Sequence, residues 1–271
     1  MAIESISRAT LAVSVSQVKV FLLCPRRYEL KYVRGEEPAF VPVPLAFGSA
    51  FHEALALFYG RQMTHPTPPS VEELIEVFAA AWSKFEDDDV PLGGDDEDVV
   101  AESHLDKGAA MLRVFHAHAA SELAEKVVAV ELPFQVSLYD PNSGEVLEEK
   151  LNGVIDLITE NEGRKVIVEH NSASKKWTLD QIRYDFQPAA YQLAARELGM
   201  GEVGLRLQVV TKTKTPAVQI EHLRRDQQDE ADFMATVVGV LRAIDAGVSY
   251  PVRGWQCRSC PYAQACTSRV S

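Results

Sequence analysis

Two periodicities divide the chain. Through the first 126 residues, apolar positions recur at helical spacing; from residue 127 they alternate as in strands. Ser14 or Ser16 caps a predicted helix carrying Val18, Val20, Phe21, Leu22 and Leu30, with Cys24-Pro25-Arg26-Arg27-Tyr28 and Tyr32 on its later turns. Residues 36–46, EEPAFVPVPLA, hold three prolines and stop it. A second helix is predicted from about Gly48 to Tyr59. In the third, Ser70 and Glu73 form a capping box ahead of VEELIEVFAAAWSKF, and a fourth runs roughly from Val99 to Lys126.

VVAVELPFQVSL (127–138), VLEEKLNGVIDLIT (146–159) and KVIVEH (165–170) then read as a three-strand meander, with DPNSG and ENEGR as turns. A helix from about Asp185 to Leu198 follows, stopped by Gly199 and Gly201. Residues 204–213 and 217–223 read as two more strands, and a last helix runs from about Asp226 to Ala246. The expected fold is α/β: a central mixed sheet flanked by helices. Its expected parts are a helical region (1–126), a sheet core (127–224), and a C-terminal helix and cysteine tail (225–271) packing with the N-terminus.

Composition narrows the class. The 271 residues are 46% hydrophobic and 24% charged, ordinary for a globular protein. No apolar run is long enough to span a membrane, and the opening MAIESISRATLAVSVSQVKV lacks the basic-then-apolar order of a secretory signal, so the expectation is a cytosolic chain. The net charge of −12 does not by itself nominate a nucleic-acid binder. Much of the excess is local, however: residues 86–98, EDDDVPLGGDDED, hold no cation and read as a solvated loop, which leaves room for a basic cleft elsewhere.

Candidate chemistry lies in two places. Asp156 in Gly-Val-Ile-Asp and Glu169 after Val-Ile-Val fall on consecutive strands joined by a tight turn, which can set the two carboxylates side by side. Such a pair repels unless a cation neutralises it, and hard oxygen ligands suit Mg²⁺ or Mn²⁺. His52, beside the apolar face of Phe51, Leu55 and Phe58, points partly away from that face. Gln187 and Tyr191, spaced i, i+4, share a helix face, with Gln187 in the first turn where the dipole favours an anion. The second place is the cysteines: Cys257, Cys260 and Cys266 need a fourth ligand, and Cys24 is the remaining cysteine. Thiolates in this number suit zinc or a 4Fe–4S cluster equally well.

In order along the chain, these residues resemble the PD-(D/E)XK nucleases of the RecB and AddB type, including the small CRISPR-adaptation nucleases with an iron–sulfur cluster. The resemblance implies a restriction-endonuclease-like sheet with an Fe–S-stapled terminal lobe. It implies a metal-dependent deoxyribonuclease, an exonuclease acting on DNA ends or single strands, with recombination, repair or CRISPR-adaptation proteins as partners. It assigns Mg²⁺ or Mn²⁺ to His52, Asp156 and Glu169, and DNA positioning to Gln187 and Tyr191. Glu131 is a weaker candidate for the acid on the preceding strand. The four cysteines, with Cys260-Pro261-Tyr262, would hold a 4Fe–4S cluster that staples the chain ends. Arg26, Arg27, Lys175 and Lys176 are candidate phosphate contacts.

One position departs from the pattern. The family motif has a lysine two residues after the second acid, where this chain has Asn171. On a strand that residue shares Glu169's face but offers a neutral amide. Lys175 cannot replace it along a continuing strand, being four residues, or about 13 Å, farther on; rescue requires a turn directly after Ser172. The alternative function is therefore a catalytically impaired protein of the same fold that binds DNA or a partner without cutting.

Overall fold

The computed structural model describes residues 12–65, 67–94, 104–121 and 125–267. The acidic stretch beyond residue 94 and the predicted start of the fourth helix lie outside them.

Ser14 ends a short strand, β1 (Ala12–Ser14), and caps α1 (Val15–Leu23) through a capping box with Gln17. Cys24 then breaks the helix in extended backbone, so α2 (Pro25–Tyr28) and a π-helical turn (Glu29–Val33) start afresh where the sequence predicted one continuous helix. β2 (Val41–Pro42) leads into α3 (Val43–Gln62), which begins five residues earlier than expected. Pro44 occupies its first turn, where the missing N–H has no partner to lose. The Ser70–Glu73 capping box opens α4 (Val71–Glu86) as predicted; β3 (Leu92–Gly93) pairs with β2, and α5 (His104–Ser121) follows.

The meander forms as β4 (Lys126–Tyr139), β5 (Val146–Asn161) and β6 (Arg164–Ala173). Next come α6 (Leu179–Arg183), α7 (Gln187–Glu197), β7 (Gly204–Thr211), β8 (Val218–Leu223) and α8 (Gln227–Asp245), capped by Asp226. A 3₁₀ turn (Trp255–Cys257) and α9 (Ala263–Thr267) complete the described chain. The sheet runs β1-β5-β6-β7-β8, with β4 on the other edge of β5; β6–β7 and β1–β5 are parallel and the rest antiparallel. The expected central mixed sheet between helices is therefore present, although the N-terminal region contributes a strand to it.

Two cores clamp the sheet. On one face Val18 and Phe21 of α1, Leu193 and Ala194 of α7 and Phe233 and Val237 of α8 pack on Leu151 and Ile155. On the other, Phe47, Phe51 and Phe58 of α3 pack with Phe78 and Trp82 of α4 and Phe115 of α5. A fully buried Phe contributes about 1.5–3 kcal/mol relative to exposure, so these rings fix α3 against the sheet. Among the described residues, no helix is long and apolar enough to cross a membrane.

Candidate active site

The site forms where β5 and β6 part. Their pairing runs from Asn161↔Arg164 to Leu157↔Val168 and stops there, while β6 continues along β7 from Glu169↔Leu207 to Ala173↔Thr211. Farther back, β1 takes the vacated edge of β5 at Lys150–Asn152. Residues 153–156 thus face a fork in mid-sheet. The sequence placed Asp156 and Glu169 near strand ends; both strands instead run on past them.

Buried backbone polar groups require partners, and in the fork side chains supply them. Asp156 Oδ2 accepts the His170 backbone N–H at 2.8 Å. The Tyr191 hydroxyl lies 3.0 Å from the Val154 carbonyl and 2.5 Å from Glu169 Oε2. Gly153 makes the packing possible: a Cβ there would meet the Phe134 ring at 2.6 Å.

His52 reaches the fork from α3, its Nδ1 3.7 Å from Asp156 Oδ1. Glu131 reaches it from β4. Its neighbours Val130 and Leu132 pair with Leu157 and Ile155, while Glu131 itself has φ of +49°. A left-handed residue that is not glycine costs about 1–2 kcal/mol. His52, Glu131 and Asp156 each offer a ligand atom, all within 4.8 Å of one another. Glu169 is not one of this triple. Residues alternate across a strand: His170 stacks on Tyr59 of α3 at 5.3 Å, so Glu169 faces the other way, toward Tyr191 of α7. The ligand set expected from sequence, His52, Asp156 and Glu169, is thus arranged as a tight triple containing Glu131, with Glu169 beside it.

Gln187 and Tyr191 line one pocket of about 160 Å³ with Asp156, Glu169, Asn152 and Ser14–Ser16. The contributions of β1, α1 and Asn152 carried no sequence signal, because long-range pairing placed them. Asn171 shares Glu169's side, its Nδ2 3.4 Å from Glu169 Oε1. β6 stays paired through Ala173, so the turn after Ser172 needed to return a lysine does not occur, and Lys175 and Lys176 are exposed beyond it.

The electrostatics are those of crowded acids. Burial and repulsion from Glu131 push Asp156 up to about 7 despite the His170 N–H, and burial and Asp156 push Glu169 up to about 8. Partial desolvation raises Glu131, although much of that residue is exposed, and burial holds His170 well below the usual imidazole range and therefore neutral. The Tyr191 hydroxyl has one proton to donate and two acceptors, Glu169 Oε2 and the Val154 carbonyl. An acid whose pKa is raised on folding holds a proton that unfolding releases, so the contribution of these two acids to the metal-free fold is greatest below about pH 4 and is lost as pH rises to 8. We expect the metal-free Tm to fall by ~5 °C or more between pH 5 and 8.5, and Mn²⁺ to restore it; a flat metal-free profile would count against the crowding.

The donor set fits a hard divalent cation: two carboxylates and an imidazole suit Mn²⁺, and the carboxylates suit Mg²⁺.

The second group lies elsewhere. All four cysteines line one cavity of about 190 Å³, with Arg26, Arg27, Tyr262 and residues 251–253. The tail is tied there: Val252 N–H donates to Cys24 Sγ at 3.4 Å, and Arg26 N–H to Tyr250 O at 3.1 Å. Arg26 and Arg27, expected to meet DNA phosphates, thus face this cavity. Arg26 also pairs with Glu29 at 2.5 Å.

Comparison with known proteins agrees with this geometry. No curated protein sequence shows significant similarity to the chain. A crystal structure described as a "putative exonuclease" from Eubacterium rectale is 15% identical, with a TM-score of 0.58 over 100% of this chain and 94% of that one, a likeness of fold. The solved structure of SSO0001 is 14% identical, with a TM-score of 0.44 over 100% of this chain and 90% of that one. The family profile of the PD-(D/E)XK nuclease superfamily matches residues 12–267, from β1 to the last cysteine helix, and the chain belongs to that superfamily.

Proposed function

We propose that the protein is a metal-dependent deoxyribonuclease that trims DNA ends or single strands, slowed by Asn171. The observation that carries this reading is the meeting of His52, Glu131 and Asp156 within 4.8 Å at a strand fork that also holds Glu169. A bound Mg²⁺ or Mn²⁺ would supply Lewis acidity and a more acidic water for phosphodiester hydrolysis. Asp156, Glu131 and His52 would hold it. Glu169, fixed by Tyr191, would take part once deprotonated. Gln187, at the N-terminus of α7, would position a phosphate oxygen, and Lys175 and Lys176 would meet flanking phosphates. The test is cleavage of labelled single-stranded and blunt double-stranded DNA with Mn²⁺, against a chelator control. Mn²⁺-dependent shortening from an end is expected; intact DNA on all substrates would overturn the reading. Asn171 specifically favours one second reading, a protein that binds DNA through the same site without cutting it.

We also propose that the cysteine cavity holds a 4Fe–4S cluster and not zinc. Tetrahedral zinc at 2.3 Å per bond draws its sulfurs to about 3.8 Å; among the described residues these four do not form a group within 4.8 Å. A cubane is bulkier and its thiolates stand farther apart. Its ligated form is anionic, and Arg26 Nε and Arg27 Nε, both buried without partners, flank the cavity. Cys260 sits in the joint field of Cys24, Cys257 and Arg27. Anaerobically purified protein is expected to be brown with about four irons per chain, a stoichiometry that follows from the cluster type, and Cys24→Ser to lose them. A colourless protein containing zinc would defeat the assignment.

A further inference from the structure

The elbow between α6 and α7 is fixed in its backbone and displays a ring to solvent. A capping box at Thr178 starts α6, and Tyr184 N–H donates to Asp180 O at 3.0 Å. Arg225 Nη2 donates to carbonyls on both sides of Tyr184, Ile182 O at 2.7 Å and Asp185 O at 3.4 Å. The largely buried Asp185 carboxylate accepts from Lys19 Nζ at 2.5 Å and from Gln187 N–H at 3.3 Å. With its neighbours so tied, Tyr184 itself is 69% exposed, and the Arg183 guanidinium lies 5.6 Å from its ring centroid.

The backbone that carries the ring is thus fixed, so ordering it on a ligand costs the freedom of the side chain alone. Its position relates it to the cleavage site. Gln187, three residues on, lines the pocket with Asp156 and Glu169. Three residues span at most about 10 Å, the length of about three stacked nucleotides at ~3.4 Å each. An aromatic face beside an arginine suits a nucleobase over an unpaired, negatively charged strand. Within a duplex both faces of each base are already covered, so only an unpaired or terminal base can offer one.

We propose that Tyr184, backed by Arg183, is a stacking platform for an unpaired base close to the scissile phosphate, and so selects single-stranded DNA. The inference rests on the nuclease reading for where that phosphate lies. The test uses the full chain carrying Asp156→Asn, which binds without cutting. Its affinity for a single-stranded oligonucleotide containing 2-aminopurine and for a covalently closed circular duplex, which has no terminal base, is measured by fluorescence anisotropy. Tyr184→Ala, in a variant whose Tm is unchanged, is expected to weaken single-strand binding about 5- to 100-fold. It should abolish 2-aminopurine quenching and leave duplex binding within about twofold, whereas Tyr184→Phe should preserve both affinity and quenching. No loss, an equal loss on both substrates, or loss with Tyr184→Phe would overturn the platform. The two readings fail separately. Platform behaviour in a chain that never cuts would sink the nuclease reading alone, and Mn²⁺-dependent cleavage with Tyr184→Ala indifferent would sink the platform alone.

Discussion

Asp156→Asn is expected to abolish cleavage, by about 1,000-fold or more, while raising the Tm of the metal-free protein at pH 8. Both effects come from one carboxylate. Its charge is opposed by burial and by Glu131, and itself raises Glu169. The amide removes that repulsion, and its oxygen can still accept the His170 N–H that Asp156 Oδ2 accepts now. Stability therefore rises. The metal loses a charged ligand from the point where His52 and Glu131 meet it, and a loss of about 4 kcal/mol in transition-state stabilisation is about 1,000-fold in rate. Thermal shift with and without Mn²⁺ measures one effect and the cleavage assay the other. A variant that is destabilised when metal-free, or that keeps its Mn²⁺-induced rise in Tm, would show that Asp156 serves the fold and not a cation. Opposite signs for stability and activity are the signature of a group kept for function.

What could be read from the sequence follows physical range. The capping box at Ser70 and Glu73, the strand alternation after residue 126 and the spacing of Gln187 and Tyr191 are local properties, and each took the expected form. That Asp156 and Glu169 share one pocket was legible because one tight turn joins their strands. Two features were not. The fork depends on where β5 and β6 stop pairing, which β7 decides by holding β6 in parallel register; no residue near Asp156 announces it. The prominence of Glu131 depends on a left-handed backbone that strand alternation does not anticipate. Prolines misled in one place: three of them argued against a helix before Gly48, yet Pro44 is accepted in the first turn of α3. The charge of Arg26 and Arg27 suggests phosphate contacts; that their helix also sets them on the cysteine cavity is a long-range result that the charge does not announce.

Restoring the motif lysine should move activity in the other direction. Asn171→Lys is expected to raise Mn²⁺-dependent cleavage about 100- to 1,000-fold, the usual worth of one preorganised charge stabiliser. The position is suitable: Asn171 stands on β6 on the same side as Glu169, with Nδ2 already 3.4 Å from Glu169 Oε1, and the strand there is fixed by pairing with Val209. A lysine ammonium would extend past Glu169 toward the pocket. It would also favour the ionised form of Glu169, now held protonated up to about pH 8, so the rate gain should be larger at pH 7 than at pH 9 and the metal-free Tm should fall less steeply with pH. Lys175 and Lys176 cannot already supply that charge if β6 stays paired to Ala173, so Lys175→Ala and Lys176→Ala should leave the gain intact. Rates measured for parent and variant across pH 6.5–9 settle the point. An unchanged rate from an active parent would mean that the fork cleaves without a strand lysine, and an unchanged absence of cleavage would favour a site that holds DNA and does not cut it.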